Sequence, residues 1–256
     1  MKTALIGHTG FLGSNLLEQT TFTDLYNSKN IADIHGKDYD LIVSAGNSSV
    51  MWKANLEPET DYNNIQYFIK TLKNVNAKRF VLISTIEVYD KPQNVNENTL
   101  IDESRLKPYG KHRYALEQFI ADQFKTHTIV RMPNLYGSHL KKNFVYDLVH
   151  NNRLDLTHKD NIQQWYNLKN VWDDINIAVQ HDLSLINFAV EPISCKELAQ
   201  YTLEINFDNV TQNPPREYNM QTKYGSFYKR NGNYLYSKKE SLEDLKTFIK
   251  NEQSLL

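Results

Sequence analysis

The sequence predicts an α/β fold built on a doubly wound parallel sheet, and two observations support this expectation. Over the first 130 residues, short apolar segments typical of buried strands alternate with longer segments of helical periodicity, as in βαβ units. In addition, a glycine-rich turn separates the first strand from the first helix. Such a turn is typical of parallel sheets that carry helices on both faces.

The elements follow one another in a regular order up to about residue 138. The first helix, for example, places Leu12, Leu16 and Leu17 on one face, which marks it as amphipathic. Strands are predicted at 2–7, near Leu25, and at 39–46, 78–85 and 127–132, and helices at 11–20, 59–75 and 107–124.

Beyond residue 138 the pattern is less regular. Residues 208–233 are rich in proline, glycine and asparagine, which predicts a loop. The length suits one compact unit or a domain with a small appended lobe. Helices are predicted at 141–151, 170–180 and 194–204, strands at 153–157, 163–168 and 184–190, and a closing strand and helix within 233–250.

Composition and charge exclude several classes of partner. Lysine and arginine total 29 and aspartate and glutamate total 30, so no overall field attracts nucleic acid or an anionic membrane. No apolar stretch approaches the roughly 20 residues that span a bilayer, and the first strand begins too early for a signal peptide. The single cysteine, Cys195, suits a reducing compartment. A cytoplasmic protein is therefore predicted. No metal site is expected.

The glycine turn reads LIGHTGFLGSNL and has the spacing GxxGxxG. A dinucleotide pyrophosphate needs a tight turn, close approach of the backbone and free N–H groups at a helix N-terminus, and glycines there provide all three. The alternative is that these glycines only ease the packing of helix on strand. We expect a Rossmann-like dinucleotide site. The predicted cofactor-binding residues in this turn are Gly7, Thr9, Gly10, Phe11, Leu12 and Gly13.

Two further loops are expected to contact the cofactor. A NAD-specific site usually has an acidic residue at the end of the second strand, but this chain has Asn27, Ser28 and Lys29 there. A hydroxyl and a cation suit a 2′-phosphate and favour NADP(H) over NAD(H), whereas the alternative for Lys29 is a solvated surface lysine. In the loop after the strand at 39–46, Asn47 and Ser48 are predicted to line the nicotinamide side unless they are ordinary turn residues. The predicted cofactor-binding residues of this region are Ala45, Gly46 and Asn47.

Four short motifs occur in order in this part of the chain, namely GHTGFLG at 7–13, LISTIEVYD at 82–90, PYGKHRYALE at 108–117 and RMPNLYG at 131–137. In order and spacing they resemble the extended short-chain dehydrogenase/reductases, a family that includes nucleotide-sugar epimerases, dehydratases and reductases. The resemblance implies a dinucleotide-binding domain over 1–137. It also implies that 138–256 completes the sheet and forms a small substrate lobe.

The resemblance also implies roles for individual residues. Tyr109 corresponds to the tyrosine that exchanges a proton with the alcohol or carbonyl while the nicotinamide exchanges a hydride. Thr85 corresponds to the residue that hydrogen-bonds the substrate oxygen, with Ser84 as its neighbouring candidate. Asn134 is expected near the diphosphate or sugar of a small-molecule substrate.

The same motif argues against one branch of the family. Glu87 is present and is expected to take part in catalysis or substrate binding. However, Ile86 stands where the dehydratase branch carries an acidic residue. An ordinary sugar 4,6-dehydratase is therefore not expected.

The largest departure from the family pattern is Arg113, which stands where the family has a catalytic lysine. A spacing of four places it on the same helical face as Tyr109. The retained charge is expected to lower the pKa of Tyr109 and to contact the nicotinamide ribose, although a guanidinium cannot relay a proton. The alternatives are a packed tyrosine beside a solvated arginine, or a non-catalytic dinucleotide-binding regulator or scaffold on the same fold.

A homodimer is predicted from the helix that carries Tyr109, because extended family members pair through this helix and the helix before it. The segment has more apolar positions than one core-facing stripe requires. These positions are Tyr114, Leu116, Phe119, Ile120 and Phe124.

Overall fold

The computed structural model describes residues 1–256 and contains twelve strands and eight helices. Strands β1 to β12 span, in order, Thr3–Ile6, Asp24–Tyr26, Asp38–Ser44, Asn76–Thr85, Gln93–Val95, His127–Met132, Asn134–Tyr136, Ile162–Gln163, Trp165–Asn167, Leu185–Asn187, Ile193–Ser194 and Asn219–Met220. Helices α1 to α8 span Phe11–Gln19, Met51–Leu56, Pro58–Leu72, Pro108–Gln123, Phe144–His150, Val171–Gln180, Cys195–Leu203 and Lys238–Gln253.

The main sheet has six strands in the order β10-β6-β4-β3-β1-β2. All neighbouring strands in it are parallel. The strand order reverses between β1 and β3, and ligands of open α/β sheets bind at the carboxyl ends of the strands near such a reversal. The predicted doubly wound, Rossmann-like α/β fold is confirmed.

The core of this sheet explains why its strands read as continuous apolar runs. All four residues of β1 are buried, as expected for a strand that is covered on both faces. On one face, Ile65 of α3 and Leu116 and Ile120 of α4 join the alternate strand residues in a single cluster. The helices α1 and α6 pack against each other and contribute no residue to that cluster.

The chain divides into two compact units that are not continuous in sequence. The first comprises residues 1–90, 98–132 and 170–187 and contains the whole main sheet. The second comprises residues 91–97, 133–169 and 188–256. The predicted strand at 184–190 is therefore an outer strand of the main sheet, β10, because it pairs in parallel with β6.

The second unit has its own core and three two-stranded pairings. Its helices α5, α7 and α8 bury their apolar faces together, and Cys195 lies within this cluster. Burial raises the pKa of the Cys195 thiol to about 12. The buried side chain of Gln164 donates to the carbonyls of Val190 and Met220 and accepts from the Met220 N–H.

Some predicted elements are wrong. The strand expected at 153–157 is a 3₁₀ turn over Leu154–Leu156, because Arg153 takes a left-handed φ of +46° and Leu156 is exposed. The closing strand within 233–250 is reduced to one bridge between Val190 and Tyr236. The short helix α2 and the strands β5, β7, β11 and β12 are not predicted by the sequence pattern, and β12 lies within the predicted loop at 208–233.

Two further properties follow from the whole chain. None of the helices combines the length and the apolar character that crossing a lipid bilayer would require. No group of three or more His, Cys, Asp or Glu side chains is arranged to hold a metal ion.

Candidate functional site

The glycine turn between β1 and α1 is tightly packed. Gly7 has a φ of +88°, which favours glycine, and its N–H donates to the Tyr26 carbonyl at 2.7 Å. A Cβ on Gly7 would lie 2.6 Å from the carbonyl carbon of Ala45. A Cβ on Gly13 would lie 2.8 Å from the carbonyl carbon of Gly7. The backbone therefore requires glycine at both positions.

Gly10 lies in a different environment from the other two glycines. Its φ of −82° and ψ of 168° are extended, and a Cβ there would meet only the Gly7 carbonyl oxygen, at 3.3 Å. Gly10 is the N-cap of α1, which has neither a side-chain cap nor an acidic residue in its first turn. Thr9 and Gly10 are exposed. An uncapped N-terminus with these properties fits an anionic pyrophosphate.

The remaining residues predicted in this turn are partly or fully covered. Phe11 is half-buried and Leu12 is buried. Both belong to the first turn of α1, where their backbone N–H groups lie at the uncapped end of the helix.

The tip of β2 holds the residues that the sequence associates with the cofactor ribose. The Asn27 amide donates to Nε2 of His8, within the glycine turn, at 3.1 Å. Its Oδ1 accepts from the Lys29 N–H at 2.8 Å. Ser28 and Lys29 are exposed. The structure thus joins Asn27 to the glycine turn and leaves the other two side chains in solvent.

The loop after β3 connects the glycine turn to the helix that carries Tyr109. Ala45 and Gly46 lie directly against Gly7, and Asn47, next in the chain, is half-buried. One residue further, the Ser48 carbonyl accepts from Nη2 of Arg113 at 2.7 Å.

Helix α4 begins close to the end of β4. Pro108 occupies its first turn, a position that suits proline. The Tyr109 N–H donates to Oδ1 of Asn55, in α2, at 3.0 Å. A Cβ on Gly110 would lie 3.0 Å from the carbonyl carbon of Glu87. Helix α4 therefore starts in direct contact with the turn that follows β4.

Tyr109 and Thr85 are brought together by this arrangement. The phenol of Tyr109 is hydrogen-bonded to the side chain of Thr85, and the residue is only 7% exposed. Oγ1 of Thr85 also accepts from the Glu87 N–H at 3.2 Å. Thr85, Glu87 and Tyr109 therefore form one cluster at the carboxyl end of β4.

Arg113 is buried and paired, so it is not a solvated helix residue. Its Nη1 donates to Oδ2 of Asp61 at 2.7 Å and its Nη2 to Oδ1 at 2.9 Å. The guanidinium carbon lies 4.4 Å from the centre of the Tyr109 ring, a cation–π arrangement. Nε is buried and makes no hydrogen bond.

The pKa of Tyr109 is raised above its ordinary value. Burial is the largest cause, and it outweighs the charge of Arg113, which lowers the pKa. The charges of Glu87 and Asp61 raise the pKa further, whereas the Thr85 hydrogen bond lowers it. The expected lowering by Arg113 is present, but the expected net direction is wrong. The sequence pattern does not show burial or the Asp61 carboxylate.

Ser84 belongs to a second buried network, behind β4. Its hydroxyl donates to Oε1 of Glu117 at 2.5 Å. Oε2 of Glu117 accepts a hydrogen bond from Nη2 of Arg131 at 2.6 Å. Nη1 of Arg131 donates to the Tyr89 hydroxyl at 2.8 Å. Ser84 thus ties β4 to α4 and β6.

Asn134 lies in the second unit, in β7. Its amide donates to Oε1 of Gln163 at 2.5 Å, and the residue is half-buried. It therefore belongs to a different compact unit from Tyr109.

Sequence reasoning missed Asp61, although a signal was available. Asp61, Ile65, Ile69 and Leu72 recur at intervals of four, four and three, which places them on one helical face. An acid in such an apolar stripe is expected to be buried only if it has a cationic partner. His112 also contacts Asp61, with Nδ1 lying 2.8 Å from Oδ2.

Solved structures of similar fold cover nearly the whole chain. UDP-glucose 4-epimerase from Thermotoga maritima has a TM-score of 0.71 at 13% identity, with 98% of this chain and 99% of that chain covered. dTDP-4-dehydrorhamnose reductase from Yersinia enterocolitica has a TM-score of 0.75 at 16% identity, with 98% and 100% covered. A NAD-dependent NDP-hexosamine 5,6-dehydratase involved in tunicamycin biosynthesis has a TM-score of 0.74 at 15% identity, with 98% of each chain covered. These similarities establish the fold class.

The sequence profile of the NAD dependent epimerase/dehydratase family matches residues 18–178. The match spans more than half of the chain, and the chain belongs to this family. It is therefore a member of an enzyme family whose cofactor is a nicotinamide dinucleotide. No sequence match is found among curated proteins.

Proposed function

We propose that this chain is a nicotinamide-dinucleotide-dependent oxidoreductase or epimerase that acts at a carbinol carbon of a nucleotide-activated sugar. The observation that carries the proposal is the cluster of Tyr109 and Thr85. A buried phenol hydrogen-bonded to a threonine lies at the carboxyl end of β4, where ligands of open α/β sheets bind.

The residues of the glycine turn fit a dinucleotide. The uncapped start of α1 offers N–H groups and the positive end of a helix dipole to the pyrophosphate. Gly7, Gly10 and Gly13 keep side chains away from it. The nicotinamide side of the cofactor would then lie at Ala45, Gly46 and Asn47.

The tip of β2 supports a preference between the two dinucleotides. Exposed Ser28 and Lys29 at the tip of β2 suit a 2′-phosphate, because they supply a hydroxyl and a cation. We therefore propose NADP(H) as the preferred cofactor. Lys29→Ala should then weaken NADPH binding and leave NADH binding unchanged, and equal affinities of the unmodified chain for both would contradict the preference.

Tyr109 is proposed to exchange the proton with the substrate oxygen. Its phenol, whose pKa is raised, is protonated at neutral pH and keeps its proton to higher pH than a free tyrosine, which suits a proton donor to a carbonyl. Thr85 would hydrogen-bond the same oxygen, and Glu87, beside both, would contact the substrate. A bound nicotinamide would supply or accept the hydride.

The substrate class is proposed from the family and from two neighbours of the same fold. The epimerase from Thermotoga maritima is described with UDP-glucose, and the Yersinia enterocolitica enzyme is named for a dTDP-linked sugar. We propose that the second unit, with Asn134, acts as the substrate lobe for such a molecule.

The alternative function is a non-catalytic dinucleotide-binding regulator. The observation that favours it is the engagement of both terminal nitrogens of Arg113 by Asp61 and Ser48. The Arg113 guanidinium is therefore bound within the protein and does not extend freely, as the ammonium group of the family's lysine would. The proton-donor cluster is nevertheless intact, and for this reason we prefer the enzyme.

Tyr109→Phe separates the two functions, because it removes the proton donor and retains the ring. Turnover with a panel of UDP- and dTDP-linked sugars should fall by a factor on the order of 10² or more, with cofactor affinity near that of the unmodified chain. Tyr114→Phe, on the same helix, is the matched control and should retain activity. Equal turnover in Tyr109→Phe would remove Tyr109 from the mechanism. Tight dinucleotide binding without turnover on any sugar would favour the regulator.

A further inference from the structure

The Arg113 guanidinium has a buried counterion on a neighbouring helix. Asp61 lies in the first turns of α3 and is 7% exposed. It accepts from both terminal nitrogens of Arg113, and His112 contacts the same carboxylate. Although burial alone would raise the pKa of Asp61, these two partners lower it, so the carboxylate is ionised at neutral pH.

Groups on α4, α3 and the end of β4 act on the charge of the Tyr109 phenol. Arg113, on the same helix, stacks on the ring. Glu87 follows β4, Thr85 ends that strand, and Asp61 faces the site from α3. Arg113 is the one cation among these groups, and Asp61 binds it at both nitrogens.

We infer that Asp61 is a positioning residue that holds Arg113 and offsets its charge, so that Tyr109 keeps its proton to higher pH than it would beside an unpaired arginine. The inference rests on the proposed role of Tyr109 as acid. A lone cation beside a tyrosine favours the phenolate, and a paired cation does so much less. Asp61 thereby compensates for the guanidinium, which never deprotonates.

The sign of the effect follows from the charges. Asp61→Asn removes the negative charge and leaves Arg113 uncompensated, so Tyr109 should ionise at lower pH. Arg113→Met removes the positive charge, so Tyr109 should ionise at higher pH. The two single variants therefore shift the Tyr109 titration in opposite directions.

The experiment is a titration of cofactor-free, substrate-free protein labelled with ¹³C at the tyrosine Cζ, with the Tyr109 resonance assigned by its loss in Tyr109→Phe. In Asp61→Asn the titration should move to lower pH than in the unmodified chain. The matched control is Glu59→Gln, which removes an acid from the same helix end at an exposed position and should not move the titration. A Tyr109 titration unchanged in Asp61→Asn would overturn the inference.

A further variant covers the case in which Asp61→Asn does not fold, because an unpaired buried charge is strongly destabilising. The double variant Asp61→Asn/Arg113→Met buries no unpaired charge. Its Tyr109 should titrate at lower pH than in Arg113→Met, and equality of the two would also overturn the inference.

Activity provides a readout that a purely structural role of Asp61 would not move. The alkaline limb of the pH–rate profile should shift to lower pH in Asp61→Asn, with activity falling about tenfold per pH unit beyond it. The NMR titration needs no turnover, so it tests Asp61 even if Tyr109→Phe shows that the proposed function is wrong. A lower melting temperature with an unchanged profile would mean that Asp61 only joins the two helices.

Discussion

Gly10→Val is the sharpest test of the dinucleotide site, because a side chain at this position should weaken cofactor binding much more than it lowers the stability of the fold. The Gly10 backbone is extended, with φ −82° and ψ 168°, a conformation that valine adopts without strain. The new Cβ would meet only the Gly7 carbonyl oxygen, at 3.3 Å. We expect a stability cost of at most about 1 kcal/mol, mainly from the weaker helix N-cap.

The cofactor should respond much more strongly than the fold. Valine would project its methyl groups from the exposed start of α1, where the pyrophosphate needs the N–H groups. We expect dinucleotide affinity to fall at least about tenfold, equivalent to about 1.4 kcal/mol. Calorimetric titration with NADPH and NADH measures the affinity, and thermal unfolding measures the stability.

Gly13→Ala is the contrasting variant. Alanine normally stabilises a helix interior by about 1 kcal/mol relative to glycine. Here its Cβ would lie 2.8 Å from the Gly7 carbonyl carbon and 2.9 Å from the His8 Cα, so a net destabilisation of about 1–3 kcal/mol is expected. Two results would refute the reasoning, namely unchanged affinity in Gly10→Val or no binding of either dinucleotide to the unmodified chain at millimolar concentration.

Three other predictions concern Arg113, the network behind β4 and assembly. Arg113→Met should weaken cofactor binding and shift the alkaline limb of the pH–rate profile to higher pH, and a methionine variant unchanged in both properties would show that the arginine does not act on the site. Arg113→Lys keeps the charge but cannot reproduce the pairing of two nitrogens with Asp61, so it should retain only part of the activity. Glu117→Gln leaves Arg131 without its buried counterion and should destabilise the fold by about 3–5 kcal/mol in denaturant unfolding; a loss below about 1 kcal/mol would show that the pair is not important for stability. A homodimer through α3 and α4 remains predicted, and a light-scattering mass near the 29.9 kDa monomer at micromolar concentration would contradict it.

Most of the apolar residues of α4 that suggested a dimer are packed in the core of the main sheet. Leu116, Ile120 and Phe124 lie in the core of the main sheet, and Phe119 packs against it. Their number therefore reflects core packing and does not indicate an interface. The exposed apolar side chains on α3 are Tyr62 and Tyr67, and the predicted dimer through α3 and α4 would bury them.

Local patterns were sufficient to predict the strands of the main sheet and the helices α1, α3, α4 and α6 of the first unit. The strands and helices that build the main sheet are close to their predicted positions because each buries a continuous apolar run or stripe. The motifs around Tyr109 were recognisable because the residues that meet at the carboxyl end of β4 come from short segments that follow one another in a fixed order along the chain. In the second unit, the apparent strand at 153–157 lacks a partner strand, and apolar alternation alone could not reveal this.

The sequence by itself determined the α/β class, the glycine turn and the pairing of Tyr109 with a cation four residues later, because these depend on neighbours within one element. Only the tertiary structure decided that Arg113 is buried and bound by Asp61, 52 positions away in the chain, and that the pKa of Tyr109 is raised by burial. The physical reason is that the charge balance of a buried group depends on every element packed around it. Helix periodicity identifies a buried acid, but only the packing of α3 against α4 identifies its partner.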